Sequence, residues 1–222
     1  PVSENIFAGA EVDLFKFPVP RFHERDGGRY IGTGHVVITR DPDEGWVNVG
    51  CYRVMVHDRN SMGMNISPGK HGRMHRQKYF DQGKACPVVA CFGVDPLLHM
   101  IATRAEPYGR SEFDTVGGIK GAPVEVIQGE VTGLPIPAYA EIAIEGEFLP
   151  DQGKEEGPFS EWTGYYASGE KYEPLIKVHR LYHRNDPILT ASPEYRPTAR
   201  AEHCYELLRA AYIRDQIGRA HV

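Results

Sequence analysis

Residues 47–57 read VNVGCYRVMVH, from Val47 to His57. A run this rich in valine, bounded by the turn residues Gly45 and Asp58, predicts an extended strand rather than a helix. Similar runs recur along the chain at Gly34–Thr39 (GHVVIT), Pro87–Phe92 (PVVACF), Val124–Gln128 (VEVIQ), Ala140–Phe148 (AEIAIEGEF) and Leu175–Tyr182 (LIKVHRLY). With 24 Gly and 17 Pro spread between them, short strands separated by turns suit a barrel or sandwich better than a doubly wound sheet. Helices are expected in three places: after His71, after Asp95 with Pro96 in the first turn, and from about Glu202 to Ile217, where Cys204, Leu207, Leu208 and Ala211 form an apolar stripe. The fold class is therefore α+β, mostly β, with a C-terminal helix that lacks an obvious partner within the chain.

At 222 residues and 41% hydrophobic content the chain can fill a real core. Acidic side chains number 30 against 25 basic ones, for a formal net charge of -5, so no basic patch for nucleic acid is expected. No apolar run approaches the roughly 20 residues that span a bilayer, and the N-terminus lacks a signal-peptide pattern. The reading is a cytoplasmic protein with no membrane partner. The four cysteines, Cys51, Cys86, Cys91 and Cys204, form no CxxC pair and are expected to be reduced and mostly buried. The chain opens at Pro1 with no Met, as a processed or excised piece would.

Four polar clusters carry the candidate chemistry. In Trp46-Val-Asn48-Val-Gly-Cys51-Tyr52-Arg53, Asn48 and Arg53 interrupt an apolar strand, and five-residue spacing sends them to opposite faces unless a bulge intervenes. Arg53 either emerges at an edge and meets any nearby acid or has a dedicated partner. In Lys70-His71-Gly-Arg-Met-His75 the two imidazoles share a helix face; the pattern fits a helix start, a divalent metal, or an anion drawn to backbone N–H groups. Tyr108-Gly-Arg-Ser111-Glu112-Phe-Asp114 reads as a solvated loop before Gly117-Gly118, although Asn, His and Glu from three segments would also make a mixed N/O ligand set suited to Mg or Mn. The fourth, Glu156–Tyr166 (EGPFSEWTGYY), is either a β-turn with both glutamates in water or a carboxylate pair walled by Pro158, Phe159 and Trp162 for acid-base work.

Taken in order, Asn48 with Arg53, Lys70-His71, Ser111-Glu112 and EGPFSEWTGYY resemble the UbiD family of reversible, non-oxidative decarboxylases. Asp26–Pro42 (DGGRYIGTGHVVITRDP) and Pro137–Phe148 (PAYAEIAIEGEF) resemble it too. The resemblance implies a flavin-reductase-like split β-barrel over residues 1–200 and a helix over 201–222 leading to a C-terminal domain outside this chain. It implies prenylated FMN as cofactor, with Asn48, His71 and Glu112 holding Mn2+ or a similar divalent metal against the phosphate, and the Trp46 carbonyl helping to bind K+. Cys51, Tyr52, Arg53 and Lys70 fall among the implied cofactor-binding positions. Arg53, Glu156 and Glu161 match the catalytic set, with Glu161 as proton donor. The implied partners are an unsaturated, aromatic or heteroaromatic carboxylic acid, CO2, a flavin prenyltransferase as cofactor supplier, and further copies in a homo-oligomer. A cofactor-binding fragment or subunit without activity of its own is the alternative.

Overall fold

The stretch 47–57 forms two strands rather than one. In the computed structural model, which describes residues 1–104, 106–161, 164–192 and 200–220, β-structure breaks at Cys51 and Tyr52. In chain order the strands are β1 (Asn5–Ala8), β2 (Arg29–Gly32), β3 (His35–Arg40), β4 (Val47–Gly50), β5 (Arg53–Asp58), β6 (Ser61–Asn65), β7 (Cys86–Phe92), β8 (Val126–Gln128), β9 (Pro135–Pro137), β10 (Ile142–Glu156) and β11 (Lys171–His183). The helices are α1 (His71–Asp81), α2 (Pro96–Ala102), α3 (Glu112–Lys120) and α4 (Arg200–Ala220).

The break closes the fold. Antiparallel strands run in the order β2-β5-β6-β11-β10-β7-β3-β4, with β1 added on β11. β5 and β4 are therefore six strand spacings apart, about 29 Å if the sheet were flat. Cys51 and Tyr52 alone join them, and three Cα steps reach at most about 11 Å. The sheet has to curl until its two ends meet, which is a split barrel.

Side-chain parity shows how the curled sheet is buried. Val37, Val88, Ala90, Phe92, Ile142, Ile144 and Phe148 point into the barrel core. Their sequence neighbours Val36, Ile38, Val89, Cys91 and Ala143 point out, under Leu98 and Ile101 of α2, Val116 of α3 and Ile136 of β9. Burial on both faces explains why β3 and β7 read as continuous apolar runs instead of alternating ones. Cys86 and Cys91 are buried, as expected of reduced thiols, and Cys51 is half-buried.

Two expectations are corrected. Residues 112–120 are a helix, not a loop: the Ser111 hydroxyl caps it by accepting from Phe113 N, and Gly121 ends it in the left-handed conformation at φ +69°. Gly117 and Gly118 lie inside the helix, where Gly117 packs near Ala122 and Pro123. Asn48 and Arg53 also belong to different strands, β4 at one edge of the sheet and β5 one strand in from the other. Of the predicted C-terminal stripe, Leu207 and Ala211 lie exposed on α4; the Cys204 and Leu208 side chains, like Trp162, lie outside the described residues. No helix is long and apolar enough to cross a membrane among the described residues.

Candidate active site

Arg53 begins β5 on the face opposite the barrel core, the parity it shares with Met55. Met55, Tyr30 and Phe159 form a small satellite cluster there, and the guanidinium lies 5.0 Å from the Phe159 ring centroid and 5.7 Å from that of Tyr30. Its partner is Glu156, the last residue of β10 and 0% exposed. Arg53 Nε donates to Glu156 Oε1 at 2.8 Å and a terminal nitrogen donates to Oε2 at 2.7 Å, a two-point fork. Burial opposes the guanidinium charge, and the Glu156 hydrogen bonds and charge outweigh it, raising the Arg53 pKa. β5 lies between β2 and β6, so the edge reading of Arg53 fails.

Glu161 approaches the other terminal nitrogen of Arg53 at 3.6 Å and its side chain is 34% exposed. Glu156 is sealed and Glu161 is reached by water, so the two glutamates do not share one environment. Asn65 of β6 adds a longer contact to Glu156 Oε2 at 3.4 Å. Asn65 escaped sequence reasoning because SMGMN has no β-branched residue to mark a strand.

A second polar focus forms where β4 meets the first turns of α1 and α3. The Tyr52 hydroxyl accepts from Asn48 Nδ2 and from Gly72 N, each at 3.2 Å, tying β4 to the start of α1. Glu112 Oε2 accepts from Val49 N at 2.6 Å, tying α3 to the same strand. Asn48 and Glu112 are each 2% exposed. Burial pushes the Glu112 carboxyl up to about 7, against the Val49 hydrogen bond. The His71 ring packs edge-on to Trp46 at 5.2 Å and to Tyr108 at 5.9 Å. Its pKa is lowered by burial and by Lys70, which favours the neutral imidazole a metal needs. Tyr108, noticed only as part of a loop, is thus a wall of this focus, and its hydroxyl joins Lys78 on Asp41.

The HxxxH pair divides. His75 is fully buried, pairs through Nδ1 with Thr39 Oγ1 at 3.0 Å and has its pKa pushed down to about 4 by burial. It belongs to the core. Among the described residues no group of three or more His, Cys, Asp or Glu side chains could hold a metal; the candidate set depends on the Asn48 amide oxygen beside one imidazole and one carboxylate. Lys70 sits exposed at the N-cap of α1, where its own side chain makes no cap bond and no acidic residue occupies the first turn; Gly72 N is taken by the Tyr52 hydroxyl and Arg73 N by the Lys70 carbonyl. The lysine and the positive end of the helix suit a phosphate. A cation would counter the burial that raises the Glu112 carboxyl and so favour its ionised form. By type, an amide oxygen, an imidazole and a carboxylate are donors that a divalent cation takes. The Trp46 carbonyl accepts from Asp41 N at 2.9 Å and retains a second lone pair. Cys51 lies between the two foci in the chain.

The comparisons with known proteins bear on the family and the fold. The chain is 40% identical over 189 residues to pyrrole-2-carboxylic acid decarboxylase of Pseudomonas aeruginosa, covering 85% of this chain and 38% of that protein. It is 34% identical over 182 residues to phenolic acid decarboxylase of Bacillus subtilis, covering 80% and 38%. Among solved structures, an evolved dimeric form of the UbiD-class enzyme HmfF from Pelotomaculum thermopropionicum, in complex with prFMN, superposes with a TM-score of 0.83 at 32% identity, over 88% of this chain and 45% of that one. Flavoredoxin of Desulfovibrio vulgaris, at 11% identity and a TM-score of 0.50 over 72% of this chain and 76% of that one, shares the split-barrel fold alone. The chain spans less than half the length of the decarboxylases it matches. Residues 1–197 match the family described as UbiD, 3-octaprenyl-4-hydroxybenzoate carboxy-lyase Rift-related domain, and the chain is a member of that family, homologous to UbiD-class carboxy-lyases.

Proposed function

We propose that this chain is the cofactor-binding, catalytic portion of a reversible non-oxidative decarboxylase that acts on an unsaturated, aromatic or heteroaromatic carboxylic acid with prenylated FMN. The observation that carries the reading is the Arg53 fork on sealed Glu156 with Glu161 beside it. A half-buried arginine with a dedicated, sealed carboxylate and a second, wetter carboxylate is more than folding alone requires.

Asn48, His71 and Glu112 would hold Mn2+ or a similar divalent metal against the cofactor phosphate, Lys70 and the N-terminal end of α1 would face that phosphate, and the Trp46 carbonyl would contribute to a K+ site. Cys51 and Tyr52 would line the path from phosphate to ring. When bound, prenylated FMN supplies the electron sink that no side chain provides. Every other step falls to the protein. Two Arg53 nitrogens are committed to Glu156, so the third, which faces Glu161, is the one that orients the substrate carboxylate. Loss of CO2 leaves an electron pair on the substrate carbon. A proton from the Glu161 carboxyl takes up that pair, and Glu161, 34% exposed, recovers a proton from water. Carboxylation is the reverse: Glu161 removes the proton and CO2 takes its place.

The alternative, a cofactor-binding subunit inactive by itself, draws on the chain's spanning only 38% of the pyrrole-2-carboxylate enzyme. One preparation separates the two. The protein is co-expressed with a flavin prenyltransferase, its cofactor identified by absorbance and mass spectrometry, and CO2 release measured with pyrrole-2-carboxylate and phenolic acids. Prenylated FMN with turnover supports the enzyme, prenylated FMN without turnover the subunit, and no flavin sinks both. The dimeric Pelotomaculum relative supports a homo-oligomer as the working assembly, which light scattering would test.

A further inference from the structure

Between sealed Glu156 and half-exposed Glu161 runs a four-residue strap, Gly157 to Ser160. Within it Phe159 packs against Tyr30 at 4.4 Å. The rest is held by residues far away in sequence. Gly27 N donates to the Pro158 carbonyl at 2.8 Å, and the Tyr30 hydroxyl donates to the same oxygen at 3.2 Å. Asp26 Oδ1 accepts from Ser160 N at 3.2 Å, across 134 residues of chain, while Oδ2 accepts from His23 N at 2.8 Å. The Arg21 guanidinium donates to the Asp26 carbonyl. An aspartate that only shaped its own turn would lie at the surface, yet Asp26 is 0% exposed. Ser160 N is the main-chain donor immediately before Glu161; Glu161 N donates to the Tyr165 carbonyl at 2.9 Å and its carbonyl accepts from Gly164 N at 2.8 Å, so that turn holds one side of the Glu161 root and Asp26 holds the other, strap side.

We infer that Asp26 is a positioning residue: it pins the 157–160 strap so that the Glu161 carboxyl stays beside Arg53. The Glu161–Arg53 approach, 3.6 Å through one nitrogen, is too loose to hold that geometry unaided. The inference rests on the reading of Glu161 as proton donor. It predicts a division that a merely structural aspartate would not show, in which the chemical step fails while substrate and cofactor still bind.

The test uses the natural gene product carrying Asp26→Ala, Asp26→Asn or Tyr30→Phe. Amide hydrogen exchange is measured across the chain, FMN affinity by fluorescence quenching, and kcat and KM with pyrrole-2-carboxylate. In Asp26→Ala, exchange at residues 159–161 should rise at least tenfold while β5 and β10 stay protected. kcat should fall about thirtyfold or more, with KM and FMN affinity within about twofold. Asp26→Asn keeps one acceptor oxygen for Ser160 N and should recover most of kcat. If Asp26→Ala does not fold, Tyr30→Phe, which removes one strap bond and leaves the ring packed, decides by the same split on a smaller scale. Exchange rising evenly over the whole sheet, or a loosened strap with unchanged kcat, overturns the inference. Glu161→Gln retaining full turnover would instead remove the proton-donor reading while the exchange results stood, so the two failures are distinct.

Discussion

Arg53 and Glu156, 103 residues apart in sequence, meet through two hydrogen bonds of 2.8 and 2.7 Å at the mouth of the curled sheet. The pair joins β5 to the far end of β10, so it ties together strands that are not neighbours in the sheet. Removing Arg53 leaves the sealed Glu156 carboxylate as an uncompensated charge and costs about 3–5 kcal/mol. Arg53→Ala should therefore lower the melting temperature and abolish decarboxylation together. Arg53→Lys should rescue neither fully, since an ammonium cannot reproduce the planar fork. A thermal melt and a CO2-release assay check this, and near-normal values in Arg53→Ala would leave the catalytic reading without its central residue.

Glu112 and Glu161 should separate by phenotype. Glu112 is buried at the start of α3 with its pKa raised to about 7, where a cation's charge would hold it ionised. Glu112→Gln should cost metal and flavin retention, read by elemental analysis and absorbance. Glu161→Gln should keep both and lose turnover, because an amide does not deliver a proton on demand. Equal cofactor loss in the two variants would undo the division of roles.

Acid should weaken the fold through His35. This imidazole is fully buried on β3, stacked on Phe92 at 5.1 Å, and burial followed by the neighbouring His99 pushes its pKa down to about 3. The unfolded chain takes up the proton near pH 6.5, before the folded one does. The unfolded state thus binds more protons between those limits, and stability falls as pH drops from about 6.5 toward 3. His35→Phe keeps the stack and removes the proton, so it should flatten that acid limb relative to wild type in denaturant melts. An unchanged pH slope would mean that other groups set it.

Much of this was legible in the sequence, for reasons that differ by segment. β3, β7 and the first half of β10 announced themselves because both faces are buried and apolar residues run without interruption. β6 did not, because a Met and Gly strand borrows its stability from Val54 and Ile176 on either side. α3 was hidden by two internal glycines whose propensity cost is borne by tertiary packing. The break at Cys51 and Tyr52 has no local signal. It follows from closure of the sheet, a property of the whole chain, yet it decides that Asn48 faces α1 while Arg53 faces the 157–160 strap. Resemblance singled out Glu156 and Glu161, but not that one is sealed and the other wet. Asp26 entered only as the first residue of a stretch, Asp26–Pro42, that resembles the family.

Tyr52 joins the two halves of the site, and its hydroxyl is the atom to test. It accepts from Asn48 Nδ2 and Gly72 N, and its ring is wedged between Gly50 and Gly72, where added Cβ atoms would come within 2.2 and 2.7 Å of it. Tyr52→Phe keeps the wedge and strands two buried donors, a loss of about 1–3 kcal/mol. The loss falls on the contact between β4 and the first turn of α1, where phosphate and metal are proposed to bind. FMN affinity should therefore drop by about tenfold or more, converted at about 1.4 kcal/mol per decade. Arg53 remains locked to Glu156 through its own fork, so turnover at saturating cofactor should change much less than affinity. Gly72→Ala should be more severe, because it pushes the ring itself and shifts α1 bodily. Titrations of FMN into both variants, followed by kcat at saturation, check the order. A Tyr52→Phe protein that binds FMN normally but has lost turnover would place the hydroxyl with the proton-transfer machinery instead.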